Sequence, residues 1–296
     1  MTYPYFANYN TEMWRYSKEL KIPYQNQNLP FVHRKNKTAN LYGVEFHIDE
    51  NGLRIGKDKN IKLGTKKILF LGDSFTVGWG VPFDNTISNL VEKLYKNIDI
   101  ESINMGCGNY NTIMEVELFK QIGINLKPEV VILCFYINDL EDTPRILSRF
   151  EYFLMTNFYI YGFLFDKYAK LKSKFDSDFT NHYYHTQYAD PAKLKKNNAA
   201  IKLLAQLCKN YNMKLLIVNI PDLRNLENYK YDFASKYIEG VANELNLEFL
   251  DLFHSVKNFN SKKLWVSFED PHSNTFANNI FAKAIYNKIN SMEWLK

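Results

Sequence analysis

Ser74 stands in the stretch KILFLGDSFTVGWGV, residues 67–81, where an apolar run ends in Gly-Asp-Ser. A serine at a strand-to-helix turn projects from the carboxyl edge of a sheet, with nearby backbone N–H groups aimed at whatever binds there. Its hydroxyl is a weak nucleophile until a base removes the proton. Among the six histidines, His272 has the context such a base needs: it lies in EDPHSN, 269–274, with Asp270 two residues before it. An Asp-x-His spacing within one loop lets the carboxylate accept a hydrogen bond from one imidazole nitrogen. The other nitrogen is then free to face Ser74, which is the logic of a Ser-His-Asp triad. Acyl-transfer chemistry also needs donors for a developing oxyanion. NMGCGNYNT, 104–112, is a loop whose glycines allow close backbone approach. FYIND, 135–139, carries Asn138 at its tip, a neutral amide that donates without competing as an acid.

These residues need elements to hold them at one edge. From about residue 66, strand-like runs alternate with segments of helical spacing: KKILFLG, IESINMG, EVVILCFY, MKLLIVNIP and LEFLDL are the strands. TISNLVEKLYKNI, TIMEVELFKQIGI, NNAAIKLLAQLCKNY, DFASKYIEGVANEL and TFANNIFAKAIYNKI are the helices. Such alternation predicts βαβ units and an α/β fold: a three-layer α/β/α sandwich around a five-stranded, mainly parallel, doubly wound sheet. Ligands bind such sheets at the carboxyl ends of the strands. Ser74 and the two candidate oxyanion loops follow the first, second and third strands, and His272 precedes the final helix. Residues 66–296 form this body, with a helical insertion at about 140–195 over the site end of the sheet. Residues 1–65 read as an extension packed on the body, partly β, with a short helix at TEMWRYSKEL and a hairpin turning at Asp49-Glu50-Asn51-Gly52. A separate small β module is the alternative for this region.

Other residues have plainer readings. Asp73 and Asp139 are placed to brace their turns by local hydrogen bonds. Cys107 lies in the Gly loop but has no base beside it in sequence, so it reads as small filler. His182 and His185 sit three apart but have no acidic or cysteine neighbour, and read as surface histidines rather than metal ligands. His33, His47 and His254 lack a triad-like context. The KLKK run at 193–196 reads as a solvated helix face, and no nucleic-acid-binding motif accompanies the net charge of +5. Three cysteines without a CxxC pair point to a reducing compartment, and the N-terminus shows no secretory signal, so the expectation is a cytoplasmic protein. YFLMTNFYIYGFLF, 152–165, is too short and too interrupted to span a bilayer; it reads as an aromatic-rich helix on the body, with an interfacial helix or lid as the alternative.

GDS after the first strand, a Gly/Asn loop after the second, ND after the third and DPH before the last helix resemble the four blocks of the SGNH (GDSL-type) hydrolase family, in order and in strand position. The resemblance covers residues 67–290, roughly three quarters of the chain. It implies a flavodoxin-like fold, with Ser74 as nucleophile and its N–H as first oxyanion donor. A Gly-loop N–H would be the second donor, the Asn138 side chain the third, His272 the general base and Asp270 its orienting acid. Many family members place a glycine five residues after the loop's Asn. Counted from Asn104 that position is Asn109, and Gly108 comes one earlier. Asn tolerates left-handed dihedrals, so either N–H can serve; the preference is Gly108, with Asn109 the alternative. GVEFHIDENGLR, LGDSFTVGWGV and GCGNYNT also resemble a bacterial subgroup associated with polysaccharide loci. The implied activity is a serine esterase that removes small acyl groups such as acetyl from a carbohydrate or other small-molecule ester. It requires neither metal nor organic cofactor. The alternatives are a glycan O-acetyltransferase using the same triad, a lipase or thioesterase suggested by the aromatic segment 152–165, and a non-catalytic glycan-binding protein.

Overall fold

The computed structural model describes residues 9–57, 65–144 and 179–295, together with 146, 148, 150, 153, 154 and 157. The aromatic segment 152–165 therefore lies, but for three positions, outside the described residues.

The N-terminal region forms helix α1, Tyr9–Leu20, and strands β1, Lys21–Pro23, β2, Phe31–His33, β3, Lys37–Leu41, β4, Val44–Ile48, and β5, Arg54–Ile55. The turn between β4 and β5 is closed by Asp49, whose Oδ1 accepts the N–H groups of Asn51 and Leu53 at 2.8 Å each. The alternating part then runs β6, Lys66–Leu71, α2, Ser74–Val77, α3, Ile87–Leu94, β7, Ile100–Asn104, α4, Thr112–Leu118, and β8, Val130–Phe135. It continues through α5, Phe179–Tyr188, α6, Pro191–Asn210, β9, Lys214–Asn219, α7, Asp232–Glu244, and β10, Glu248–Asp251. Helix α8, Phe253–Val256, a short ladder of β11, Trp265–Ser267, with β12, Asp270–Ser273, and helix α9, Thr275–Ser291, complete the chain.

The main sheet has the order β10-β9-β8-β6-β7-β5-β4-β3. The first five are the expected parallel strands, with Ile68 of β6 opposite Ser102 of β7 and Val130 of β8. The extension adds three antiparallel strands to the edge of the same sheet, where Arg54 pairs with Asn104. The inner parallel strands are largely buried on both faces, so successive side chains enter different cores. Ile68, Phe70, Ile132 and Leu216 pack with Val91, Phe281 and Ile285 of α3 and α9. Leu69, Leu71, Leu133 and Ile217 pack with Met114, Ile201 and Ile238 of α4, α6 and α7. A third core joins Tyr16 and Leu20 of α1 to Leu41 and Phe46 of the added strands and to Val77 and Trp79, just past Ser74. That core ties the N-terminal region to the segment carrying the serine. Among the described residues, no helix is long and apolar enough to cross a membrane.

Candidate active site

Gly72 ends β6, and a Cβ there would lie 2.0 Å from Thr76 Oγ1 and 3.1 Å from Cys134 Cβ. The strand can therefore turn this sharply only with glycine at that position. Asp73 caps α2: its Oδ1 accepts the Phe75 N–H at 2.9 Å. Ser74 opens the four-residue helix, so its own N–H has no intrahelical acceptor. The loop after β7 is held against this turn by Asn104, whose Nδ2 donates to Thr76 O at 2.7 Å and whose Oδ1 accepts Gly106 N–H at 3.0 Å. A Cβ on Gly106 would meet the Val77 backbone nitrogen at 2.2 Å, so the two loops approach as closely as backbones can.

Asp270 and His272 lie on β12 rather than in a free loop. Alternation along a strand puts residues two apart on the same face. The carboxylate can only accept, so His272 Nδ1 carries the proton and donates to Asp270 Oδ1 at 2.5 Å. His272 Nε2 is then the acceptor for Ser74 Oγ–H at 2.8 Å. Trp79 Nε1 donates to the other oxygen, Asp270 Oδ2, at 2.9 Å, and the His272 N–H donates to Oδ1 at 3.1 Å. Asp270 is 0% exposed. Burial pushes its carboxyl up, but the hydrogen bond and charge of His272, with the His272 N–H and Trp79, outweigh it and hold Asp270 below the ordinary carboxylate value. Phe75 packs on the imidazole with its ring centre 4.8 Å away.

Asn138 reaches the same place from the turn after β8, its Nδ2 donating to Asp73 Oδ2 at 3.1 Å. An amide nitrogen has two hydrogens, so a second remains. Asp73 is pushed up by burial, against hydrogen bonds from the Phe75 N–H and Asn138 and the nearby His272. Asp139 accepts Thr112 Oγ1–H at 3.0 Å and links its turn to the start of α4. Behind the site, burial pushes the carboxyls of Asp139 and Glu115 well above the ordinary carboxylate range.

The Gly108 N–H, preferred from the sequence as an oxyanion donor, is engaged: it donates to Tyr16 Oη at 3.0 Å. That hydrogen is turned to Tyr16 of α1, and the next N–H along the loop is that of Asn109, the alternative donor from the sequence. Asn109 sits in the left-handed region at φ 66°. Its carbonyl-side neighbour, Gly108 O, accepts from Lys21 Nζ at 2.5 Å, and the same ammonium donates to Asn109 Oδ1 at 3.0 Å. In a trans peptide the N–H points away from the C=O, so the Asn109 N–H faces opposite Lys21.

Sequence reading missed Tyr16, Lys21 and Trp79 as neighbours of these loops, and no local pattern in the chain marks them. His33, given no role from sequence, sits behind Tyr16, its Nε2 2.5 Å from Tyr16 Oη and its Nδ1 3.1 Å from Gly52 O. Cys107 is buried and pushed up by that burial, with its Sγ 3.7 Å from Tyr16 Oη. His182 and His185 are exposed on α5, and His185 lies against Phe233.

The parallel order β10-β9-β8-β6-β7 with Gly-Asp-Ser at the carboxyl end of β6 is the SGNH (GDSL-type) hydrolase fold. Among the solved structures that share that fold are the following two. A protein described as lipolytic and of the G-D-S-L family from Desulfitobacterium hafniense aligns with a TM-score of 0.50 at 13% identity, over 75% of this chain and 99% of that one. Axe2, an acetylxylan esterase from Geobacillus stearothermophilus, aligns with a TM-score of 0.50 at 17% identity, over 80% of this chain and 99% of that one. No protein-family model and no curated protein matches the chain.

Proposed function

We propose that this protein is a serine ester hydrolase that works through an acyl-enzyme. The observation that carries the reading is the continuous hydrogen-bond chain Asp270–His272–Ser74, built from residues 198 positions apart at the carboxyl edge of a parallel sheet. A binding module has no use for a buried carboxylate that fixes an imidazole tautomer toward a serine. In the proposed reaction Ser74 Oγ attacks the acyl carbon while His272 Nε2 takes its proton. Charge builds on the carbonyl oxygen, which accepts from the Ser74 N–H, the Asn109 N–H and the second Asn138 Nδ2 hydrogen. His272 returns the proton to the leaving alcohol, and the acyl group stays on Ser74. Water, deprotonated by His272, then attacks the acyl-enzyme, the bond to Ser74 Oγ breaks, His272 returns the proton to Ser74 Oγ, and the acid leaves.

For the substrate we propose a small acyl ester, O-acetyl on a carbohydrate. The subgroup-like sequence stretches support this reading, as does a shared fold with an enzyme whose name is acetylxylan esterase. The test is hydrolysis of p-nitrophenyl esters from acetyl to long chains by wild type and Ser74→Ala, followed by acetyl release from acetylated xylo-oligosaccharides. Activity on short chains that drops by several orders of magnitude in Ser74→Ala is the expected result. Equal activity in both proteins would overturn the Ser74 assignment, and a long-chain optimum would overturn the acetyl reading.

A further inference from the structure

The extension supplies a buried cation to the loop that follows β7. Lys21 opens β1, paired in register with His33 of β2, and is 5% exposed. Its ammonium is enclosed by the rings of Tyr16 and Phe31, with centroids 4.6 and 4.5 Å away. Burying a charge is costly unless it is well directed, and this one is directed at the backbone oxygen Gly108 O at 2.5 Å and at the side-chain oxygen Asn109 Oδ1 at 3.0 Å. Tyr16 holds the same segment one peptide earlier through the Gly108 N–H. Two side chains from residues 16–21 thus fix both peptides that flank Gly108.

We infer that Lys21 is a positioning residue for ester cleavage: it holds the Gly108–Asn109 peptide with its N–H turned toward the oxyanion, and its positive charge strengthens that donor. This rests on the acyl-enzyme reading above. A cation on a peptide oxygen draws electron density from the amide, and hydrogen bonds in series reinforce one another. The ammonium is itself only 5% exposed, so water screens its charge little on that side of the peptide. An exposed loop residue held in a left-handed conformation would otherwise be free to turn its N–H away.

The charge state gives a readout that mere packing would not. Burial pushes Lys21 down to about 8. The groups that face it are Tyr16 and Cys107, both pushed up by burial, and His33, which burial pushes down to about 3. Arg54, beyond Tyr16, donates to Val77 O, Gly78 O and Val81 O, and burial pushes it down to about 9. A loss of rate centred near pH 8 that disappears when Lys21 is replaced therefore reports Lys21, since a guanidinium such as Arg54 keeps its proton across this range.

The experiment follows covalent labelling of Ser74 by ethyl p-nitrophenyl methylphosphonate, which needs no knowledge of the natural ester. The Ser74 Oγ–P bond forms, the P–O bond to nitrophenol breaks, His272 takes the serine proton, and nitrophenolate leaves. Release of nitrophenolate gives the rate and intact mass gives the adduct, from pH 6 to about 9.5. Wild type should label with a fall in rate above about pH 8. Lys21→Met should label about 10- to 100-fold more slowly and lack that fall. Lys21→Gln, which keeps a donor for Gly108 O without the charge, should also lack it and serves if the Met variant does not fold. Labelling of Lys21→Met at the wild-type rate overturns the inference, and so does a slower rate with the fall near pH 8 intact. Failure of wild type to label, or labelling of Ser74→Ala, overturns the acyl-enzyme reading itself.

Discussion

Replacing Asp270 with asparagine removes one charge and almost no volume, and the structure says why that should be severe. The carboxylate is fully buried and accepts three N–H groups, from His272 Nδ1, the His272 backbone and Trp79 Nε1. An amide has one oxygen. If the oxygen faces His272, the amide nitrogen faces Trp79 Nε1, and a buried indole donor loses its partner at about 1–3 kcal/mol. If the oxygen faces Trp79, the amide donates to His272 Nδ1 and the imidazole proton moves to Nε2. Nε2 then donates to Ser74 Oγ and can no longer take its proton. In either orientation the charge that offsets the imidazolium formed during attack is gone. Asp270→Asn should therefore lower kcat on the order of 10⁴-fold with little change in KM. The assay is steady-state hydrolysis of p-nitrophenyl acetate, with circular dichroism to confirm folding. A folded Asp270→Asn that keeps kcat within about tenfold of wild type would refute the orienting role.

Two further outcomes follow from buried groups near the site. His33 accepts from the Tyr16 hydroxyl and donates to Gly52 O in its neutral form, and burial together with the Lys21 and Arg54 charges pushes it from 6.5 down to about 3. The unfolded chain binds that proton between those values and the native chain does not, so stability should fall as pH drops from 6.5 toward 3, by up to about 5 kcal/mol at 1.36 kcal/mol per pKa unit. Urea midpoints between pH 7 and 4 check this, and an acid slope unchanged in His33→Gln would count against it. Gly72→Ala should lower stability by about 1–3 kcal/mol and reduce kcat, because a Cβ at 2.0 Å from Thr76 Oγ1 pushes α2 and its serine off line. Wild-type melting and turnover in that variant would contradict the close packing at the turn.

Much of the fold was legible because it rests on local pattern. Apolar runs such as ILFL and VVILCF can be buried only where both sheet faces are covered, and helical spacing between them implies the crossover connections. The edge at which Ser74, the Gly loop, Asn138 and His272 meet followed from that topology. The Asp270–His272 pair was legible because two residues apart is close in any local geometry. Joining the hairpin of the extension to the main sheet was not legible, since β5 and β7 pair across about fifty residues and through a single register contact, Arg54 with Asn104.

The succession of strands along the chain, the serine at the end of β6 and the acid two residues before the histidine were readable from the residues alone, because these depend on side-chain periodicity and short spacing. Only the three-dimensional packing shows where the loop's groups are held. Tyr16 takes the Gly108 hydrogen from 92 residues away, Lys21 holds the next carbonyl from 87 residues away, and Trp79 steadies Asp270 across 191. Hydrogen bonds over such separations leave no periodic trace in a sequence. They exist because the third core brings α1 and the added strands against the serine turn, and packing there selects partners that spacing cannot.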